Sequence, residues 1–199
     1  MGVLIGPNTL YYVIVRPKGK LREDFDFSDE KVRKPALLRP EMGERGTGDM
    51  ATTVIAITNQ KGGVGKTTTA AALLTGLHRR GAAVLGVDMD PQGSLGFSLG
   101  LDIEHCTTIY DVFRGQAEPE QAIVRTDTCD ILPSNILLSG AELEFNRPGR
   151  EFLLKTALSK VEDQYDYIII DTPPALSLLT VNAYVATDSL IIPMSPEIL

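Results

Sequence analysis

The chain has 199 residues, 43% apolar and 23% charged, the balance of an ordinary globular domain with room for a core. No apolar run approaches the ~20 residues that a membrane-spanning helix requires, so no helical span is expected. The net charge of −7 is uneven: residues 1–49 hold 9 Lys and Arg against 8 Asp and Glu, and residues 50–199 hold 10 against 18, which argues against a broad basic face for nucleic acid while allowing a small local patch.

The opening stretch, MGVLIGPNTLYYVIV, is apolar but has no leading positive charge and no small-residue cleavage site, so it does not read as a signal peptide. Within it, residues 10–15 (LYYVIV) predict one short strand. Residues 16–49 are charged, broken by Pro and Gly, and without a sustained period, which reads as a tail or linker.

From residue 52 the pattern changes. Residues 53–58 (TVIAIT) form a β-branched apolar run, as expected of a buried parallel strand. A glycine-rich turn follows, then an Ala- and Leu-rich helix over 67–80 stopped by Gly81. Residues 84–87 predict a second buried strand, 130–132 a third, 167–170 a fourth and 190–192 a fifth, with helical spacing over 151–161. Strands alternating with helices imply an α/β fold: a mostly parallel twisted sheet with helices on both faces. Ligands of such sheets sit beyond the carboxyl ends of the strands, which is where residues 61–68, Asp88, Asp90 and Asp171 all fall. Cys106 and Cys129 lack metal-ligand or disulfide-framework spacing and read as free thiols of a reducing cytosol.

Phosphate binding requires inward backbone N–H groups, a helix N-terminus and a cation. In KGGVGKTTT (61–69), Gly62, Gly63, Val64 and Gly65 supply the loop, Lys66 reaches the β- and γ-phosphates, the Thr67 hydroxyl ligates Mg²⁺ and Thr68 reaches an α-phosphate oxygen. The plain P-loop pattern wants a glycine where Gln60 stands, and the loop gains Lys61 instead. Lys61 reads either as a solvated turn lysine or as a second cation for the phosphates, taking the part of an arginine finger.

Asp88 and Asp90 lie in VDMDPQGS and Asp171 in YIIIDTPP, each directly after a strand. An apolar strand ending in Asp beside a phosphate loop suits the Mg²⁺ shell, so Asp88 and Asp171 are candidates for holding the ion through water. Asp90, two residues further on, is the candidate to orient or deprotonate the attacking water. Singly, each also reads as a strand-end turn residue.

Beyond residue 50 the chain resembles the ParA/Soj branch of the deviant Walker-A, MinD-like P-loop ATPases. NQKGGVGKTTTA, VDMDPQGS, TIYDVF, ILPSNILLSGAELE and YIIIDTPP carry the resemblance, in family order over about 150 residues. It implies a P-loop NTPase fold and a homodimer that sandwiches two ATP molecules. It also implies that Lys61 crosses to the partner's ATP, that Lys66 binds phosphate in its own subunit and that Asp90 assists hydrolysis. DPQGS and DTPP then match the switch loops. A ParB-type partner and non-specific DNA are the interactions the resemblance implies, with a cytoplasmic, nucleoid-associated setting.

Two departures frame the expectations. Relatives continue beyond the point matching Leu199, so the reading is a domain over 50–199 incomplete at its C-terminus, lacking the family's adenine and DNA contacts and leaving a sheet edge and an apolar face exposed. The resemblance starts near Met50, so 1–49 reads as a poorly structured extension, either from an upstream start or as a tail that binds a partner. The alternative functions are an ATP-binding regulatory module without turnover and a MinD-like membrane-positioning ATPase. The latter carries a C-terminal amphipathic helix that this sequence does not show.

Overall fold

The structure, a computed structural model, describes residues 2–3, 11–15, 51–145 and 147–194. In chain order its elements open with β1 (Gly2–Val3), β2 (Tyr11–Val15), β3 (Thr53–Ile57), α1 (Lys66–His78), β4 (Val84–Asp88) and α2 (Ser94–Ser98). There follow α3 (Ile109–Phe113), α4 (Pro119–Ala122), β5 (Val124–Arg125), β6 (Asp130–Leu132) and α5 (Ala141–Glu144). α6 (Leu153–Leu158), β7 (Tyr167–Asp171), α7 (Leu178–Ala186) and β8 (Ser189–Met194) complete it. No helix among the described residues is long and apolar enough to cross a membrane.

The strands form one sheet in the order β1-β2-β8-β3-β7-β4-β6-β5. The five strands expected from the sequence are its parallel centre, β8-β3-β7-β4-β6. Their continuous apolar runs follow from burial on both faces. Val54, Ala56, Leu85, Val87, Ile168 and Ile170 face one core, closed by Ile109 and Phe113 of α3, Leu154 and Leu158 of α6, and Leu178 and Ala183 of α7. Ile55, Ile57, Ile131, Ile169 and Ile191 face the other, closed by Ala70, Leu74 and Leu77 of α1. Helices cover both faces, as expected. Gly86 brings α1 close: a Cβ there would stand 2.7 Å from Ile131 Cδ1 and from Leu74 Cδ1.

The helix read over 151–161 is shorter, because a 3-10 turn at Arg150–Phe152 precedes α6. α7 was not read from the sequence, since LLTVNAYVA is too evenly apolar to show a period. One of its polar members, Asn182, is fully buried. It caps α6 across the interface: Oδ1 accepts the Leu154 N–H at 3.0 Å and Nδ2 donates to the Arg150 carbonyl at 2.9 Å. Both cysteines are free thiols.

The sheet edge expected to be open at β8 is paired. β2, the strand read from LYYVIV, lies antiparallel along β8, with Tyr11 opposite Met194 and Val15 opposite Leu190. β1 pairs with β2 in turn. The unmatched N–H and C=O groups of an edge recruit any extended segment within reach, and this chain supplies one. Pro193 is compatible with that position. Residues 191 and 193 turn their carbonyls toward β3, where the Thr58 N–H meets the Ile191 carbonyl at 3.0 Å and Asn59 Nδ2 meets the Pro193 carbonyl at 2.7 Å. The N–H that Pro193 lacks would point the same way, so the β2 ladder loses nothing. The stretch read as a tail, 16–49, lies outside the described residues, as do 195–199.

Two substitutions test this architecture. Val13→Pro removes a donor from the β2 ladder and is expected to speed amide exchange over residues 189–194 while leaving 84–88 protected. Gly86→Ala overfills the α1–sheet contact and is expected to cost about 1–3 kcal/mol in denaturant unfolding.

Candidate functional site

The site lies at the carboxyl ends of β3, β4 and β7. After β3 the chain turns through 59–65 and enters α1. Gly65 caps the helix at φ 83°, a left-handed conformation that a side chain would strain. No side chain caps the helix. Its first-turn N–H groups are therefore open to an anion, with the positive end of the helix dipole behind them. Val64, 3% exposed, pins the loop to the protein beneath.

Lys66 is buried at the helix start, and its Nζ donates to the Lys61 carbonyl at 3.2 Å. Burial lowers its pKa, and the charges of Asp171 and Asp90 oppose that shift. The Thr67 hydroxyl donates to Asp171 Oδ2 at 2.6 Å. Asp171 is fully buried, and its other oxygen, Oδ1, accepts no hydrogen bond. A buried carboxylate oxygen without a donor is costly, and it points to a ligand. Burial pushes the Asp171 carboxyl up to about 7; the Thr67 hydrogen bond opposes this and neighbouring Asp88 and Asp90 add to it.

Asp88 stands opposite Asp171 across the β4–β7 pairing. Its oxygens are engaged: Oδ1 accepts the Asp90 N–H at 3.0 Å, and Oδ2 accepts those of Leu95 and Gly96 at 2.9 and 3.3 Å. Its visible work is to hold the DPQGS turn against the start of α2. Burial raises its pKa to about 6, against the pull of those three N–H donors. Asp90 reaches the rim, where its Oδ1 accepts the Gln92 N–H at 3.0 Å. Its carbonyl accepts the Ser134 hydroxyl. Gly93 allows the turn to pack tightly: a Cβ there would stand 3.1 Å from the Ser134 carbonyl oxygen, at φ +64°.

The structure thus links Lys61, Lys66, Thr67 and Asp171 by direct bonds or sequence adjacency. It sets Asp88 and Asp90 on the neighbouring strand end. Lys61, Gly62, Gly63 and Thr68 lie exposed at the loop surface. Sequence reasoning passed over Ser134 and Asn59. Both are polar residues placed directly beyond strand ends, the same signal that singled out the aspartates.

Asp88 and Asp171 both have folded pKa values above the ordinary 3.8, so in that window the folded chain binds more protons than the unfolded one and stability falls as pH rises. The nucleotide-free protein is expected to melt at lower temperature at about pH 8 than at about pH 5.5, and Asp171→Asn to flatten that dependence. Thermal melts of both proteins across that range check it; a variant with the parent's slope would assign the dependence to other groups.

Known proteins resemble this chain in sequence and fold. A family model described as an AAA domain (AAA_31) matches residues 52–199. The sporulation initiation inhibitor protein Soj of Bacillus subtilis is 48% identical over 150 residues, which are 72% of this chain and 58% of Soj. The chromosome partitioning protein ParA of Myxococcus xanthus is 44% identical over 159 residues, 78% of this chain and 56% of that protein. Among solved structures, a Mycobacterium smegmatis protein described as cobyrinic acid a,c-diamide synthase, with bound ATP analog and magnesium, matches with a TM-score of 0.71 at 47% identity. That match covers 72% of this chain and 59% of that one. This chain therefore spans less than two thirds of the length of each of these relatives. By the extent of these matches, and with its double-lysine loop on a mostly parallel sheet, the chain belongs to the AAA_31 family of ParA- and Soj-type P-loop proteins.

Proposed function

We propose that this chain binds ATP with Mg²⁺ and acts as an ATP-hydrolysing switch that dimerises on nucleotide, of the kind that partitions chromosomes or plasmids. The observation that carries the reading is the Thr67–Asp171 pair beside Lys66. A hydroxyl and a buried carboxylate with a donor-free oxygen are hard oxygen ligands, the set Mg²⁺ prefers. Bound there, the ion would neutralise phosphate charge and hold Asp171 ionised at neutral pH.

The chain's own groups divide the work. The first-turn N–H groups of α1 and the loop amides of Gly62, Gly63, Val64 and Gly65 cradle phosphate oxygens, and Thr67 and Thr68 complete the cradle. Lys66 exchanges its bond to the Lys61 carbonyl for the β- and γ-phosphates. Its proximity to Asp171 and Asp90 supports its cationic form. Asp90, held by the Asp88–Asp90 N–H bond and by Ser134, orients the attacking water and takes its proton. Asp88 serves the ion at most indirectly, because both its oxygens already hold the turn. Lys61, exposed on the outer side of the loop, supplies the second cation to a partner copy's nucleotide.

Dimerisation has a separate support. Phe97, 77% exposed, follows DPQGS; Leu176, 66% exposed, follows DTPP. Exposed apolar side chains just beyond both segments that match the switch loops suit a face that a second copy covers. By the same family reading, a ParB-type protein is the partner class that would stimulate turnover.

Four measurements test the proposal. Lys66→Ala is expected to abolish binding of a fluorescent ATP analogue. Asp90→Ala is expected to keep binding and slow single-turnover phosphate release about 10²- to 10⁴-fold. Lys61→Ala is expected to remain monomeric in sedimentation with Mg²⁺ and ATP, where the parent chain dimerises. Tight binding by the parent chain with no phosphate release would instead favour a regulatory nucleotide-binding module.

A further inference from the structure

The β3–β8 ladder continues one rung further than the backbone of β3 does. The Thr58 N–H bonds the Ile191 carbonyl at 3.0 Å. In a parallel ladder the next acceptor on that side lies two residues on, at Pro193. By then the chain has left the sheet to become the phosphate loop. The side chain of Asn59 supplies the missing donor, Nδ2 to the Pro193 carbonyl at 2.7 Å. Pro193 has no N–H of its own, so with this bond its backbone on this side of β8 is satisfied.

The other end of the same amide faces the loop. Asn59 Oδ1 accepts the Lys61 N–H at 2.9 Å, an Asx turn. The Lys61 carbonyl in turn accepts Lys66 Nζ. The peptide groups on either side of Lys61 are thus held by Asn59 before and Lys66 after. The task asks for a donor and an acceptor at fixed separation on a short stem. Asp lacks the donor, Ser lacks the reach, and Gln adds a methylene that opens the turn.

We propose that Asn59 is the positioning residue for Lys61: one amide ties the entry of the phosphate loop to β8 and sets the direction in which the loop presents its second lysine. This rests on the reading of Lys61 as a phosphate ligand given above. The tie is to a strand held on both sides, by β3 and by β2. That makes β8 a firm anchor for a loop whose glycines give it little stiffness.

The test uses the full 199-residue chain. Amide exchange reads the geometry without reference to activity: the Lys61 N–H is expected to exchange faster in Asn59→Ala and to stay protected in Asn59→Asp, which keeps the acceptor. Function is read by single-turnover phosphate release and by affinity for a fluorescent ATP analogue with Mg²⁺. Asn59→Ala is expected to slow release about 10- to 100-fold, the cost of a misplaced catalytic group, with affinity altered less than about threefold. Asn59→Asp, which keeps the turn but loses the tie to Pro193, is expected to fall between. The double variant Asn59→Ala, Lys61→Ala is expected to be no slower than Lys61→Ala alone. Multiplied effects in the double variant, or a loss of affinity and melting temperature with turnover intact, would assign Asn59 a merely structural part and overturn the proposal. Should Lys61→Ala alone leave turnover and dimerisation unchanged, the reading of Lys61 itself fails. An impaired Lys61→Ala beside an unimpaired Asn59→Ala rejects the positioning role alone.

Discussion

Two carboxylates buried at the ends of neighbouring strands are the constraint around which this molecule is arranged. Asp88 and Asp171 are register partners, both fully buried, and burial drives the pKa of each upward. An apolar sheet tolerates such groups only if something pays their desolvation. For Asp88 the compensation is internal: three backbone N–H groups converge on it and fold the DPQGS turn. For Asp171 it is half complete, with Thr67 on one oxygen and no donor on the other. The same chemical group therefore does two jobs on adjacent strands. One carboxylate builds a loop and the other keeps an oxygen without a donor.

The rest of the fold can be read as the means of bringing a phosphate loop to that pair. β3 and β7 are hydrogen-bonded neighbours, so the loop leaving β3 and Asp171 ending β7 share one rim. Gly86 lets α1 settle close to the sheet. Asn59 draws the loop's entry toward β8, and Thr187 closes the opposite end of the same pairing, accepting the Ala56 N–H at 3.1 Å. Side chains thus finish the β3–β8 ladder at both ends, where the backbone alone would leave groups unmatched.

The edge of the sheet shows how a local expectation can be right in kind and wrong in consequence. An edge at β8 follows from the order of elements, and exposed edges attract strands. What covers it is β2, from a part of the chain separated from β8 by the whole domain. The strand itself was legible in LYYVIV. Its partner was not, because strand propensity carries no address.

Much of the candidate site was legible in the sequence. The glycines, the two lysines, the threonines and three aspartates at or just beyond strand ends lie within short segments whose spacing suits the proposed phosphate and Mg²⁺ ligands, and short-range spacing is what a sequence displays directly. The five parallel strands were equally plain, since burial on both faces leaves unbroken apolar runs. Only the tertiary structure decided which carboxylate keeps an oxygen in reserve, because that depends on donors from residues 90, 95 and 96 converging on Asp88 and not on Asp171. It alone revealed α7, with Asn182 capping α6, and the Asn59 bridge to Pro193. Each of these joins residues 28 to 134 positions apart. Their geometry is fixed by the packed sheet, and no local pattern in the chain encodes it.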